Sequence, residues 1–301
     1  MITFANCNYS LIIYMTMRKT IFLAVAAVVI TAMSACGFSD GAKGKPSGNE
    51  GATDTTQCRF SNIREACRMQ YVDTDGDTCY IDNTVSILWP EIINGKPCDT
   101  LQVALRAELV DSTGINTIDQ VVKCLLESNY PDCPEKSTLK AVTAITGDEP
   151  RISSNNVRLQ LKELGERLLT YHIYYDSYAA GGAHGIYANR YVTYDLKLDK
   201  VVTFEDIIAD TTLLRTAILR SIKREYDYDK DDLFIPDSGL LPLPGDFCID
   251  GGVLHAVYQV YDIASYAQGA IDAPIYPYQL KPEEMKRLFT PYGLELIDYS
   301  D

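Results

Sequence analysis

Between Val157 and Leu196 apolar side chains recur at every second position, and that period commits the middle of this 301-residue chain to β-structure. Val157, Leu159 and Leu161 alternate with Arg158, Gln160 and Lys162, the pattern of a strand with one wet face. Leu164-Gly165-Glu166 turns the chain, and Leu169, Tyr171, Ile173 and Tyr175 then alternate with Thr170, His172 and Tyr174. Past a glycine-rich loop, Ile186, Ala188, Val192, Tyr194 and Leu196 keep the period, with Arg190 interrupting it, and Asp199-Lys200 makes the next turn. Tyr171 and Tyr175 share the face of Ile173 and are expected in a core. Tyr174 shares the other face with His172 and is expected outside.

Around these hairpins the period changes to that of helices. Asp99 is expected to cap a helix through Leu109, with Leu101, Ala104, Leu105 and Leu109 on one face. Asn116 is expected to cap a second, Ile118 to Glu127. A third runs from Asp210 to Arg224, with Leu213, Leu214, Ala217, Ile218 and Ile222 apolar and Asp210 or Thr211 as cap. Further strands are expected at Val85–Ile92, Val253–Tyr261 and Ala273–Tyr278, and Pro282 opens a short helix through Phe289. The sum is an α+β fold, an antiparallel sheet with helices packed on one side.

The chain before this body reads as an address. Met17-Arg18-Lys19, an apolar run from Ile21 to Ile30, and Met33-Ser34-Ala35-Cys36 make a basic start, an apolar middle and small residues before a cysteine. That is the pattern of a bacterial lipoprotein signal, with Cys36 as the lipidated residue. Residues Met1 to Thr16 fit no part of such a signal, so Met15 or Met17 is the expected start and Cys7 is expected to be absent from the product. Gly37 to Gln57 is rich in Gly, Ser, Thr and Lys and reads as a flexible tether. The expected location is the cell envelope, with membrane attachment through Cys36 and the side of the membrane open. Residues 1–35 carry Arg18, Lys19 and no acid, so the whole chain at −14 becomes −16 after cleavage before Cys36. Such a charge repels nucleic acid and anionic lipid and attracts basic proteins, although solubility alone also accounts for it.

Six of the remaining cysteines, Cys58, Cys67, Cys79, Cys98, Cys124 and Cys133, cluster early in the body. In an oxidising compartment they are disulfide candidates, with Cys124–Cys133 the preferred pair across Tyr130-Pro131-Asp132. Cys248, between Phe247 and Ile249, is expected as a buried free thiol. No Cys-x-x-Cys pair and no His-x-x-x-His spacing occurs, so neither a zinc site nor any other cofactor is expected. Asp73-Thr74-Asp75-Gly76-Asp77 opens like a calcium loop, but Thr78 and Thr84 stand where such a loop needs Gly and Glu. An acidic hairpin turn is the expected reading.

Three segments together resemble a known family. They are Tyr178-Ala179-Ala180-Gly181-Gly182-Ala183-His184-Gly185; Val192 to Lys197 followed by Val202 to Ile208; and Tyr258 to Tyr278, with Tyr261-Asp262-Ile263-Ala264-Ser265-Tyr266-Ala267-Gln268-Gly269 inside it. Their order is similar to that of the extracytoplasmic domain of RsiV-type anti-sigma factors, which act as lysozyme receptors, and of PdaC-type peptidoglycan deacetylases. The resemblance covers about residues 150 to 290. Together with the signal and tether read above, it divides the chain into a leader and signal at 1–35, an anchored linker at 36–57, a PdaC-like α+β domain with disulfides at 58–190, an RsiV-like α+β domain at 191–290 and a tail at 291–301, of which only the two α+β domains follow from the resemblance. It also implies a binding module without the sigma-binding segment or the metal-dependent catalytic domain of those relatives.

The expected partner-binding residues are Tyr178, Gly181, Gly182, His184, Tyr261 and Tyr266, in the two loops that carry the resemblance. The plainer reading of His184 is a loop histidine bonded to neighbouring backbone, and no Gly-x-Ser-x-Gly or paired catalytic motif accompanies it. The expected function is a lipid-anchored envelope protein that binds a lysozyme-like basic protein or peptidoglycan. An envelope hydrolase using His184 and a nearby acid is a second reading, and a structural lipoprotein a third.

Overall fold

The computed structural model describes residues 58–110, 114–128, 139–146 and 150–297. Cys36, the signal, the tether and Cys133, and with it the Cys124–Cys133 pair, lie outside the described residues. Thr56–Asp301 forms one compact unit.

The fold is α+β. Its strands are β1 (Arg59–Val72), β2 (Thr78–Ile93), β3 (Lys96–Pro97), β4 (Lys140–Val142), β5 (Arg151–Leu164), β6 (Leu168–Tyr178), β7 (Ile186–Asp195), β8 (Lys200–Val201), β9 (Asp246–Asp250), β10 (Val253–Tyr258) and β11 (Ile271–Ile275). Its helices are α1 (Asp99–Leu109), α2 (Ile118–Leu126), α3 (Phe204–Ile207), α4 (Thr211–Tyr226), α5 (Pro282–Leu288) and α6 (Pro291–Leu296). A large sheet runs in the order β4-β1-β2-β5-β6-β7-β8, with β3 beside β2, and a small one runs β11-β10-β9. Every pairing is antiparallel except β2 with β5, which run parallel from Cys79↔Arg151 to Ile87↔Leu159.

The period-two reading of residues 157–196 corresponds to β5, β6 and β7, and the Leu164-Gly165-Glu166 turn joins the first two. The β1–β2 hairpin is longer than the Val85–Ile92 strand expected from the sequence. Its turn is the acidic one: Asp73 Oδ1 accepts from the Asp75 and Asp77 N–H groups at 3.0 and 2.9 Å. Oδ2 of the same carboxylate meets Arg151 at 2.7 Å, so a cation of the protein holds it. Two caps sit one residue from their expected places. Cys98, not Asp99, precedes α1. Thr117, not Asn116, caps α2 in a reciprocal box with Gln120.

Helices α1 and α2 cover one face of the large sheet. Their core gathers Ile87, Leu101, Leu105, Val121, Leu159 and Tyr171, all buried. A second core lies between the small sheet and α4 with α5, built on Leu214, Ile218, Ile222, Ile271, Met285 and Leu288. The expected boundary at 190/191 falls inside β7, and the first core draws on Val192 and Tyr194 beyond it while the second draws on Leu168 before it. Residues 291–297 are not a tail. Leu296 and Ile297 are buried, and Gly293 of α6 lies so close to α3 that an added Cβ would stand 2.5 Å from the Ile207 carbonyl oxygen.

Cys58, Cys67, Cys79, Cys98 and Cys124 are free thiols, so the expected staples are not formed among these five. Register explains one case. Cys67 pairs with Asn83 and Cys79 with Tyr71, four positions apart along the hairpin, or about 13 Å, beyond the reach of a disulfide. Cys79 and Cys98 act instead as buried apolar side chains. Among the described residues no helix is long and apolar enough to cross a membrane.

Candidate functional site

The pleat sorts each strand onto two faces. Odd residues of β5 and β6 face α1 and α2, so Arg158, His172, Tyr174 and Asp176 face away from them. On β7 the register sets Tyr191 opposite His172, Asn189 opposite Tyr174 and Tyr187 opposite Asp176. Sequence alternation alone had placed Tyr174 and His172 on this outer face, and both are half-buried there.

The small sheet is fixed to the free edge of β7 by side chains. Beyond its short pairing with β8, this edge has no strand partner among the described residues. Gln259 takes the place of one. Its Oε1 accepts from the Asn189 N–H at 2.7 Å, and its Nε2 donates to the carbonyl of the same residue. Asp246 Oδ1 accepts from the Tyr191 N–H at 2.9 Å. Asp246 also pairs with Arg190, whose other nitrogen reaches Glu108 of α1 at 2.9 Å. These contacts set the loop after β10 beside the loop after β6.

The two loops predicted to carry recognition therefore meet. In the first, Gly181 has a φ of +79°, open to glycine without strain. Gly185 passes close to its own hairpin, where an added Cβ would stand 2.9 Å from the Ser177 carbonyl oxygen. Tyr178 donates to the Gly182 carbonyl at 3.2 Å and stays exposed. In the second loop Ser265 and Gln268 bond to each other at 2.8 Å, and the chain turns at Tyr261 with a φ of 70°. His184 stacks on Tyr266 with ring centroids 3.9 Å apart, and Tyr261 lies 5.8 Å from Tyr266. The Tyr187 hydroxyl accepts from the Ala270 N–H at 3.2 Å and ties β7 to the second loop.

Sequence reasoning missed what these rings join. From Tyr266 the line continues to Tyr187 at 6.2 Å, to Tyr174 at 6.2 Å, to His172 at 6.3 Å and to Tyr191 at 4.9 Å. Seven rings, Tyr191, His172, Tyr174, Tyr187, Tyr266, His184 and Tyr261, thus form one ladder on one face. Arg158 lies over the Tyr174 ring at 5.3 Å. Burial pushes the Tyr174 and Tyr266 hydroxyls up, so both stay protonated hydrogen-bond donors. Burial also holds His172 below the ordinary imidazole range, and its Nε2–H donates to Asn189 Oδ1 at 2.9 Å.

His184 itself is exposed, and its Nδ1–H donates to the Gly185 carbonyl at 2.8 Å. That bond is the plainer reading of the residue. The fold also sets Cys248 directly opposite His255, which bonds Asp272 through Nδ1 at 2.9 Å. The thiol is 1% exposed and burial pushes it far up, so it is an inert core group rather than a nucleophile. Among the described residues no three His, Cys, Asp or Glu gather as metal ligands. A cavity of about 430 Å³ between β1 and α2, lined by Ile63, Cys67 and Val122, holds none of the expected partner-binding residues.

No family model matches this chain, and no curated protein does. Solved structures do. A DUF3298 family protein of Bacteroides fragilis aligns with a TM-score of 0.56 at 18% identity, over 79% of this chain and 96% of its own. A DUF3298 family protein of Pseudomonas aeruginosa aligns with a TM-score of 0.49 at 14% identity, over 78% and 97%. The Bacteroides likeness shows that this chain has the fold of a DUF3298 family protein, a domain of unknown function.

Proposed function

We propose that this protein is a lipid-anchored, non-enzymatic binding protein of the cell envelope, akin to the RsiV/PdaC-type extracytoplasmic domain, and that it recognises peptidoglycan. The observation that carries this reading is the ring ladder. Aromatic side chains half-sunk in a rigid sheet offer flat apolar faces with polar tips, which suits the alternating apolar and hydroxylated faces of sugar rings. The two loops at its end, with Tyr178, Gly181, Gly182, His184, Tyr261 and Tyr266, form a single rim because Gln259 and Tyr187 lock them together. Cys36 would hold this surface near the membrane on the tether of residues 37–57.

The charge of −16 that follows cleavage before Cys36 favours a second partner, a lysozyme-like basic protein, with Asp176 and Asp262 beside the same loops. Hydrolysis is the weaker reading, because the His184 Nδ1–H is held by the Gly185 carbonyl rather than by a carboxylate that would raise the basicity of the ring.

Calorimetric titration of the full chain carrying Cys36→Ala decides among these. Muropeptides are expected to bind, and Tyr266→Ala to weaken them about tenfold, as loss of a stacked ring costs on the order of 1–2 kcal/mol. Heat with lysozyme alone would move the reading to the basic protein. Product released from muropeptides, and lost in His184→Ala, would replace binding with hydrolysis.

A further inference from the structure

The face of the large sheet turned away from α1 and α2 carries a straight cross-strand row. Register sets Arg64 of β1 opposite Ser86 of β2, Ser86 opposite Arg158 of β5, Arg158 opposite Tyr174 of β6, and Tyr174 opposite Asn189 of β7. The row is open: Arg64 and Arg158 are exposed, and Ser86 and Tyr174 are half-buried. The next row along the strands, Ala66, Thr84, Asn156, Asp176 and Tyr187, is polar and small up to the ladder.

The charges on this face do not balance locally. Arg68 pairs with Asp82, and the Asp176 carboxylate accepts from Asn156 Nδ2 at 3.3 Å. Arg64 and Arg158 have no carboxylate partner among the described residues, in a chain with 41 acidic and 27 basic residues. With acids in such excess, two guanidiniums left unpaired on one flat face mark a place where an anion from outside completes the pairing. Two strand spacings separate them, about 10 Å, and the row from β1 to β7 spans about 19 Å. The face is too flat to enclose a small molecule, and it is not a sheet edge that an extended peptide would augment.

We propose that this row extends the ring ladder into a binding track for a glycan strand that carries carboxylate groups. Arg158 and Arg64 pair with carboxylates on successive repeats, while Tyr174 and Tyr187, on the far side of Arg158 from Arg64, stack on the sugar rings that follow. Arg158 is placed beside both, since its guanidinium lies over the Tyr174 ring and the register sets the two residues opposite each other. Ser86, Thr84 and Asn156 supply hydroxyl and amide partners for sugar hydroxyls. The proposal deepens the peptidoglycan reading and rests on it, because the track branches from the ladder at Tyr174.

The test uses the full chain carrying Cys36→Ala and four probes: peptidoglycan glycan strands stripped of peptide, whose lactyl carboxylates are free; polygalacturonate; neutral chitin oligosaccharide; and polyglutamate. Binding is read by affinity electrophoresis, with thermal melting to show that each variant is folded. Arg158→Gln and Arg64→Gln are each expected to weaken a carboxylate glycan about tenfold and leave the neutral oligosaccharide unchanged. Tyr174→Ala is expected to weaken both. Tighter retention of stripped strands or of polygalacturonate identifies which carboxylate glycan the track takes. Arginine variants that hold the carboxylate glycans like the wild type would overturn the track and leave the ladder standing. So would polyglutamate bound as tightly as either glycan. Failure of every glycan, neutral and charged, would overturn the track and the peptidoglycan reading together.

Discussion

Arg190 is where three elements converge, since its guanidinium serves Glu108 of α1 and Asp246 of β9 from its place on β7. Two carboxylates share one cation in a buried setting, and burial pushes the Asp246 carboxyl up to about 7 despite Arg190 and the Tyr191 N–H pulling it down. A carboxyl with a higher pKa folded than unfolded takes up a proton on folding. Its support is therefore full below the unfolded value of about 3.9 and is lost as pH rises through about 7. Asp195 and Asp206 act in the opposite sense: backbone and side-chain donors hold them below the ordinary range, and their support fades in acid. Urea unfolding at pH 5 and pH 8 is expected to show Asp246→Asn with a smaller loss of stability toward pH 8 than the wild type. An unchanged slope would mean that Asp246 stays ionised throughout. In the sequence, Arg190 was visible only as an interruption of an apolar period. Its partners were not, because nothing local to Glu108 or Asp246 points to a strand so far along the chain.

At the scale of elements, the free edge of β7 is the joint that makes the site. An unpaired strand edge invites association with other chains, and here one glutamine side chain occupies it by copying both hydrogen bonds of a backbone amide. Gln259→Glu keeps the size but sets an acceptor against the Asn189 carbonyl, and it is expected to cost about 2–3 kcal/mol of stability. Gln259→Leu leaves two backbone groups unpaired and is expected to cost a similar amount. Chemical denaturation measures both, and a neutral effect of Gln259→Glu would show that the edge is held by packing alone. Alternation in the sequence was enough to place β5, β6 and β7 and to sort their faces. It did not reveal β1, where Arg64, Glu65 and Ala66 blur the apolar period at Ile63, Cys67 and Met69. Nor does spacing tell that the loops around His184 and Tyr266 touch. Only their likeness to a family put them on the same list, and the ladder that links them depends on register.

The whole molecule is two antiparallel systems joined to each other by side chains and, within the large sheet, by one parallel contact. The β1–β2 hairpin and the β5–β6–β7 meander are each local in sequence. The β2–β5 pairing closes across the long segment that carries α1 and α2. Loop closure opposes such a contact until local structure is in place. Pulse-labelled hydrogen exchange during refolding is expected to protect the β2 amides that face β1 before those that face β5. Simultaneous protection would indicate that the hairpin and meander form as one unit. The same joint matters while the chain is being made. Synthesis delivers the hairpin first, and from Cys79 to Ile87 its outer edge waits with its backbone N–H and C=O groups unpaired until residues 151–159 arrive. For the time needed to translate the intervening stretch, a strand from the interior of the finished sheet is a bare and adhesive one, and a newborn chain of this kind has to be kept apart from its copies.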